Sequence, residues 1–324
     1  MSKILVTGSN GFIASYLIPK LLNDNYQVLG ISNSPYNGKS HNNYEHLQVD
    51  ITDPIALEGV FDENEISTVI HLAAIAHLKG RNHLNWNDFY RVNTLASKHL
   101  FEMAVNNRAK IFFASTVDVY GNTNINVIDE EVIPQPNSDY GKSKYIAEQE
   151  LMSIATDKVS FTIGRFAPVY GPDNLKDVFK RMYLKHPNIA YKIDSGLSYH
   201  FVSINNIVEF ILKWISNTDS ANLYNIADDY LVSSKAMLNY EKKSNKNLKV
   251  FLIPKLFINI ANKILKTGAL VVNNYKVKKI NNNIYKLVTP PLYNNKKMHD
   301  LYVPKWDFIN TLYKHNESTL GDEN

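Results

Sequence analysis

The first two dozen residues constrain this chain most. Lys3-Ile4-Leu5-Val6 is a short apolar run ending on Thr7-Gly8, and Phe12 to Leu22 then carries apolar residues at helical spacing. A strand that turns through small residues directly into a helix opens a β-α unit. The turn, VTGSNGFIAS, places Gly8, Gly11 and Ala14 three apart. The first glycine permits a tight turn, and the second lets backbone approach a pyrophosphate. A small third residue allows close helix–sheet packing. The helix start adds free N–H groups and a partial positive charge. The pattern predicts a dinucleotide site around Gly8, Asn10, Gly11, Phe12 and Ile13.

The alternation continues. Gln27 to Ile31, Leu47 to Val49, Thr68 to Leu72, Lys110 to Ala114 and Ser160 to Arg165 read as strands. Asn93 to Val105 and Tyr140 to Ser153 read as helices. Near-continuous apolar strands between helices predict an α/β fold, a doubly wound parallel sheet of Rossmann type. Ligand then binds at the carboxyl ends of the strands. After Gly171 the pattern loosens. Phe201 to Val208 and Leu223 to Ala227 read as late strands rejoining the sheet. The expected division is a dinucleotide-binding domain over 1–170, with 201–227 returning to it. Residues 171–200 and 228–324 then form a smaller C-terminal substrate-binding lobe.

Bulk composition removes several classes of function. The 324 residues carry a net charge of +4 and no run of basic residues, so no nucleic-acid partner is expected. With no cysteine, disulfides and Cys metal sites are excluded, and the ten histidines show no metal-binding spacing. The N-terminus lacks signal-peptide features, and no stretch reaches the ~18 apolar residues of a membrane span. Val250 to Val272 comes nearest, but Lys255, Lys263 and Lys266 interrupt it, so it reads as a packed amphipathic helix rather than a membrane-surface one, the alternative such a pattern leaves open. These features fit the cytoplasm.

The end of the second strand should choose the cofactor, an acid favouring NAD and an arginine NADP. Ser32-Asn33-Ser34 supplies neither, so the choice between NAD and NADP stays open. Asp50 and Ile51, in VDITD, are placed to meet the adenine edge; Asp50 equally suits a turn or helix cap.

DYGKSKYIAE places Tyr140 and Lys144 four apart, on one helical face with Cβ atoms ~5–6 Å apart. Such a lysine lowers a tyrosine pKa from its usual ~10 and can reach a ribose hydroxyl. A tyrosine tuned in this way is a general acid/base for a sugar hydroxyl or ketone. Ala114, Ser115 and Thr116 end the fifth strand, and the Thr116 hydroxyl can hold the same oxygen. Taken alone, the Tyr/Lys spacing also describes a solvated helix face.

The motifs TGSNGFIA (7–14), VDITD (49–53), HLAA (71–74), Asn93 in VNTLAS, STVDVYG (115–121), YGKSK (140–144) and RFAPVYGP (165–172) follow one another in a fixed order. In this the first half of the chain resembles the extended short-chain dehydrogenase/reductase family, in its NAD-dependent epimerase/dehydratase branch acting on nucleotide sugars. FVSINNIVEF and LYNIADD extend the match weakly. The resemblance implies Tyr140 as acid/base, Lys144 as its electrostatic partner and ribose ligand, and Thr116 as hydroxyl partner. It also implies a structural Asn93 near the cofactor, Leu72, Ala73 and Ala74 on the adenosine side, and Ala167 and Pro168 approaching the nicotinamide. It implies a homodimer through the helices near 93–105 and 140–153, and a nucleotide-diphosphate sugar as substrate.

The chain departs from its relatives on the substrate side. Family members that eliminate water across C5 and C6 carry an Asp-Glu pair after the threonine; here stand Val117 and Asp118. Elimination needs both an acid and a base, so a 4,6-dehydratase is disfavoured. Many epimerases have asparagine at the place of Pro168 and, near Tyr199, an arginine that grips the diphosphate. Pro168, HLAAIAHL and VSINNI instead resemble 4-ketoreductases and epimerases of surface-polysaccharide pathways. Lys176, Lys180, Arg181 and His200 are candidate replacements for the arginine, or else a solvated basic face. His77 and Lys79 follow the fourth strand and can face substrate or simply solvent. Two alternatives remain beside the sugar-nucleotide enzyme: a reductase of a non-nucleotide ketone, and a non-catalytic dinucleotide-binding sensor.

Overall fold

The computed structural model describes residues 2–36, 38–76, 84–123, 125–183, 188–193, 196–217, 222–254, 256–257, 260 and 290–318. Seven strands form the main sheet: β1 Lys3–Thr7, β2 Val28–Ser32, β3 Tyr44–Gln48, β4 Ile66–His71, β5 Lys110–Thr116, β6 Phe161–Phe166 and β7 Asn222–Ile226. All pair in parallel, in the order β7-β6-β5-β4-β1-β2-β3. The chain winds outward from β1 to β3, then crosses to β4 on the other side. The carboxyl ends of β1 and β4 therefore flank the switch point where a doubly wound sheet opens a crevice. The expected Rossmann-type sheet is what the chain adopts.

The strand sequences explain why both faces are covered. Ile4, Val6 and Phe112 enter one apolar cluster, and their neighbours Leu5, Ile111 and Phe113 enter another. Alternate side chains of a strand point to opposite faces, so strands apolar at every position need a layer on each side. Helices α1 (Phe12–Asn23) and α5 (Ile204–Ile215) pack on the first face. On the second lie α2 (Pro54–Asp62), α3 (Ala96–Asn106) and α4 (Asp139–Ala155). A π-helical turn, Tyr90–Leu95, leads into α3. Helix α2 had no counterpart among the expected elements. Its signals are nonetheless local: Asp53 caps Ile55 and Ala56, and Pro54 takes the first helical position.

Two expectations are corrected. Of Phe201 to Val208, only Val202–Ser203 is extended, pairing with Val169–Tyr170, and α5 begins at Ile204. Ser203 caps this helix, and Ile204, Ile207, Val208, Ile211 and Trp214 recur at helical spacing. A short apolar run fits both periods, and the longer repeat decides it. At Val250 to Val272, Lys249–Ile253 is a strand parallel to Ile189–Ile193, with Phe251 and Leu252 exposed. Residues 261–272 lie outside the described residues. Among the described residues no helix is long and apolar enough to cross a membrane.

A third apolar cluster lies outside the sheet. Tyr170, Val178, Met182 and Phe201 meet Met237 of α6 (Ser234–Ser244) and Phe308 of α7 (Phe308–Ser318).

Beneath the carboxyl edge of β5 the core holds a salt bridge. Glu148 of α4 is fully buried and accepts from Arg165 of β6 at 2.7 Å and from Ser115 of β5. The Arg165 guanidinium also lies 4.7 Å from the Tyr120 ring centroid. Removing one member of such a pair strands the other charge, whereas removing both does not. We therefore expect Arg165→Leu to destabilise the fold by roughly 3–5 kcal/mol in urea denaturation, and Glu148→Leu combined with Arg165→Leu to recover most of that loss.

Candidate active site

The glycine turn has the shape that a pyrophosphate cradle needs. Gly8 has a φ of +68°, and a Cβ there would lie 2.9 Å from the Ala73 backbone. Only glycine lets the end of β1 turn this close to the chain leaving β4. Gly11 precedes α1 with no side-chain cap, so no side chain competes for the N–H groups of the first turn. Asn10 reaches across to the end of β2, donating to Ser32 Oγ at 2.9 Å and Ser34 Oγ at 2.9 Å. His46 Nε2 lies 3.1 Å from the same Ser32 oxygen. Among the described residues no carboxylate bonds this cluster, which leaves the choice between NAD and NADP where the sequence left it.

Buried hydrogen bonds fix the crevice walls. Ser97 Oγ donates to the Asn93 carbonyl at 2.8 Å and so accepts from His71 Nε2, also at 2.8 Å. His71 Nδ1 then accepts from Thr7 Oγ1 at 2.6 Å, and Thr7 Oγ1 accepts from the Ala73 N–H at 3.1 Å. Burial first, and then Lys144, hold His71 neutral, well below its ordinary pKa. Asn93 pairs both ways with the Ile75 backbone at 2.9 Å and donates to Ser143 Oγ at 3.1 Å. Thus Asn93 ties the loop after β4 to α4.

Helix α4 carries Tyr140 and Lys144 against the end of β5. Ser138 caps it, accepting from the Gly141 N–H at 3.0 Å and donating to Asp118 Oδ2 at 2.7 Å. A Cβ on Gly141 would lie 2.6 Å from the Asp118 carbonyl, so glycine is required for this approach. Thr116 Oγ1 accepts from the Asp118 N–H at 3.1 Å, and its hydroxyl is near enough to the Tyr140 phenol to favour the ionised form. Lys144 is 1% exposed, with Nζ 3.9 Å from the Phe113 ring centroid.

The electrostatics differ from the expected pattern. Burial, then Asp118 and Asp177, push the Tyr140 pKa up, and the Thr116 hydroxyl only partly opposes them. Lys144 is pulled down to about 7 by burial, against the opposing pull of Glu148. A lysine so desolvated does not lower the phenol as the spacing alone suggested.

The remaining expected residues divide. Leu72, Ala73, Ala74, Ala114, Ala167 and Pro168 all follow or end strands at the carboxyl edge. The Pro168 carbonyl accepts from Val202 at 3.0 Å, and Ala167 donates to Ile226 at 2.9 Å. Ile51 is buried, while Asp50 is exposed and caps Thr52 through two 2.9 Å bonds, the turn role. His200 is corrected as a phosphate ligand. It is buried, its Nδ1 accepts from the Tyr293 N–H at 3.0 Å and its Nε2 donates to the Asp228 carbonyl at 2.6 Å. Lys180 is exposed and pairs with Asp177 at 3.0 Å. His77 and Lys79 lie outside the described residues. Sequence reasoning missed His71, Ser138, Asp177 and the Glu148–Arg165 pair; of these only Ser138, a cap residue before a helix, carried a local signal.

Comparison with known proteins fits this geometry. Residues 4–227 match the model of the NAD dependent epimerase/dehydratase family. The chain is 28% identical to human dTDP-D-glucose 4,6-dehydratase, over 75% of each protein. It is 34% identical to UDP-glucose 4-epimerase of Caenorhabditis elegans, over 47% of this chain and 49% of that one. In fold it is similar to UDP-glucuronic acid 4-epimerase of Bacillus cereus, solved in complex with NAD. Their TM-score is 0.71 at 20% identity, covering 98% and 99% of the two chains. With a match across more than half its length, this chain belongs to the NAD dependent epimerase/dehydratase family.

Proposed function

We propose that this family member is a nucleotide-sugar epimerase or 4-ketoreductase that transfers hydride at a sugar carbon with Tyr140 as acid/base. One observation carries the reading: a half-buried phenol whose titration the Thr116 hydroxyl influences, one turn from a buried lysine and beside a turn shaped for a dinucleotide. The Gly8 cradle and the uncapped start of α1 suit the pyrophosphate. Asn10 and Ser32 suit the adenosine ribose, Leu72 to Ala74 the adenine side, and Lys144 the nicotinamide ribose. When bound, the nicotinamide gives or takes the hydride.

The chain's own residues manage the proton. Burial, and then Asp118 and Asp177, keep the Tyr140 phenol neutral, poised to donate to an oxygen that gains charge as its carbon is reduced. Thr116 donates to the phenol oxygen and stabilises the tyrosinate left behind. In the oxidation direction the same tyrosinate takes the hydroxyl proton. The 4,6-dehydratase among the relatives does not alter the argument against elimination. After Thr116 this chain has a buried Val117, and only Asp118 can move a proton there. The wider reading is a homodimer in the cytoplasm making surface-polysaccharide precursors, with the domain division given above. It rests on the family resemblance.

Two outcomes test this. Tyr140→Phe should lower turnover of nucleotide sugars by roughly 10²- to 10⁴-fold while cofactor binding, followed by fluorescence titration, stays near wild type. Full turnover in that variant would remove Tyr140 from the chemistry. Lys144 gives a second test, on stability. Between pH 7 and lysine's ordinary 10.5 the folded chain binds fewer protons here than the unfolded one, so this lysine costs stability below about pH 7 and the cost fades as pH rises. Lys144→Met should thus be more stable than wild type by about 1–2 kcal/mol in urea at pH 6–7, with the gap closing towards pH 10.

A further inference from the structure

The chain's charge is divided unevenly. From Lys242 to His299 the sequence holds thirteen lysines and neither Asp nor Glu. That segment carries +13, which leaves 22 basic and 31 acidic residues, a net −9, in the remainder. The lysines are dispersed rather than consecutive, so they form no basic run. A strongly positive segment on an otherwise acidic chain marks a surface for an anionic partner.

Apolar side chains are exposed in the same segment. Of the sixteen large apolar side chains exposed among the described residues, six fall between 250 and 260: Val250, Phe251, Leu252, Leu256, Phe257 and Ile260. Single exposed apolar residues are ordinary, whereas a cluster of them marks an interaction site. Phe251 and Leu252 are 53% and 64% exposed, on opposite faces of the strand Lys249–Ile253. Among the described residues that strand pairs on one edge only, with Ile189–Ile193, where Ala190, Tyr191 and Ile193 are buried. The outer strand is therefore the one that meets the surroundings.

Charge and apolar surface meet end to end. An open depression of about 550 Å³ is lined by Asn188, Ile189, Lys246, Asn247, Leu248 and Lys249. The acid that precedes it, Glu241, accepts from Tyr183 at 2.5 Å. A strand rises ~3.3 Å per residue, so Leu252 lies ~10 Å along the chain from Lys249. Side chains at a bilayer interface sit about 5–10 Å into the headgroup and acyl boundary, which lets the lysine end stay among phosphates while the apolar end goes deeper. Two other partners fit less well. A second copy pairing at this strand would set one positive segment against another. A nucleic acid would use the lysines but give Val250 and Leu252 nothing to pack on.

We propose that the surface carrying Lys246, Lys249, Val250, Phe251 and Leu252 docks on an anionic membrane, the lysines meeting lipid phosphates and the apolar side chains entering the interface. The attachment is peripheral, since no helix among the described residues is long and apolar enough to span a bilayer.

The test is sedimentation of the full chain with vesicles of phosphatidylcholine alone and of phosphatidylcholine with about 30% phosphatidylglycerol. The anionic vesicles should bind it at least about tenfold more tightly, and ~0.5 M salt should remove most of that preference. Phe251→Ser combined with Leu252→Ser should weaken binding roughly 10- to 100-fold, and Lys246→Glu combined with Lys249→Glu at least roughly tenfold. The charge-reversed variant serves alone if the serine variant lowers the urea midpoint. Absence of binding, equal binding to both vesicles, or folded variants that bind like wild type overturn the proposal. A dimer seen by light scattering that the serine variant abolishes, with vesicles left unbound, overturns it in favour of a second copy. Binding to duplex DNA that matches vesicle binding and survives in the serine variant overturns it in favour of a general polyanion surface. Turnover of nucleotide sugars does not enter these measurements, so the role of Tyr140 stands or falls separately.

Discussion

The close approach of α4 to the turn after β5 is the contact on which the rest depends. At Gly141 the helix backbone comes so near the Asp118 carbonyl that any side chain would intervene. From one side Ser138 holds the approach through Asp118. From the other, Asn93 and Thr94 hold it through Ser143. A helix fixed on both sides presents its next residues in strict succession. Tyr140 meets Thr116, Lys144 lies over Phe113, and Glu148 reaches Arg165. Four-residue spacing on one helix thus spans from the reacting edge of the sheet down to its core.

That succession places two charged groups where water cannot reach them. The Glu148–Arg165 pair is compensated in place, with Ser115 donating to Glu148 and the Tyr120 ring facing the guanidinium. Lys144 is not compensated in the same way, since Glu148 is already shared with Arg165 and the nearest contact is an aromatic face. Its proton is correspondingly loose. If Tyr140 is the acid/base as proposed, a responsive charge beside it comes with some instability, the usual trade between stability and activity.

Much of this was legible in the sequence because its signals are local. The strand, glycine turn and helix of residues 3 to 22 specify themselves through spacing and small residues. Tyr140 and Lys144 are legible because one helix carries both. What stayed hidden depends on distant partners. Arg165 meets Glu148 across 17 residues, and His200 meets Tyr293 across 93. His200 looked like a free basic side chain for that reason. The length of a run matters as well: Phe201 to Val208 satisfies strand and helix alike until Ile211 and Trp214 extend the helical repeat. The direction of the Tyr140 shift was also out of reach, since spacing gives the neighbour's identity but not its solvation.

Asp177 ties the short stretch from Lys176 to Arg181 to the phenol. Asp177 raises the Tyr140 pKa through its charge, pairs with Lys180 through its carboxylate and holds Arg181 through its carbonyl. With burial, Asp118 and Asp177 bias Tyr140 towards the acid form, the form that reduction of a sugar ketone consumes under the proposed role. Under the proposed acid/base role, oxidation of a sugar hydroxyl runs against that bias and calls on Thr116 and a charged Lys144 to stabilise the tyrosinate.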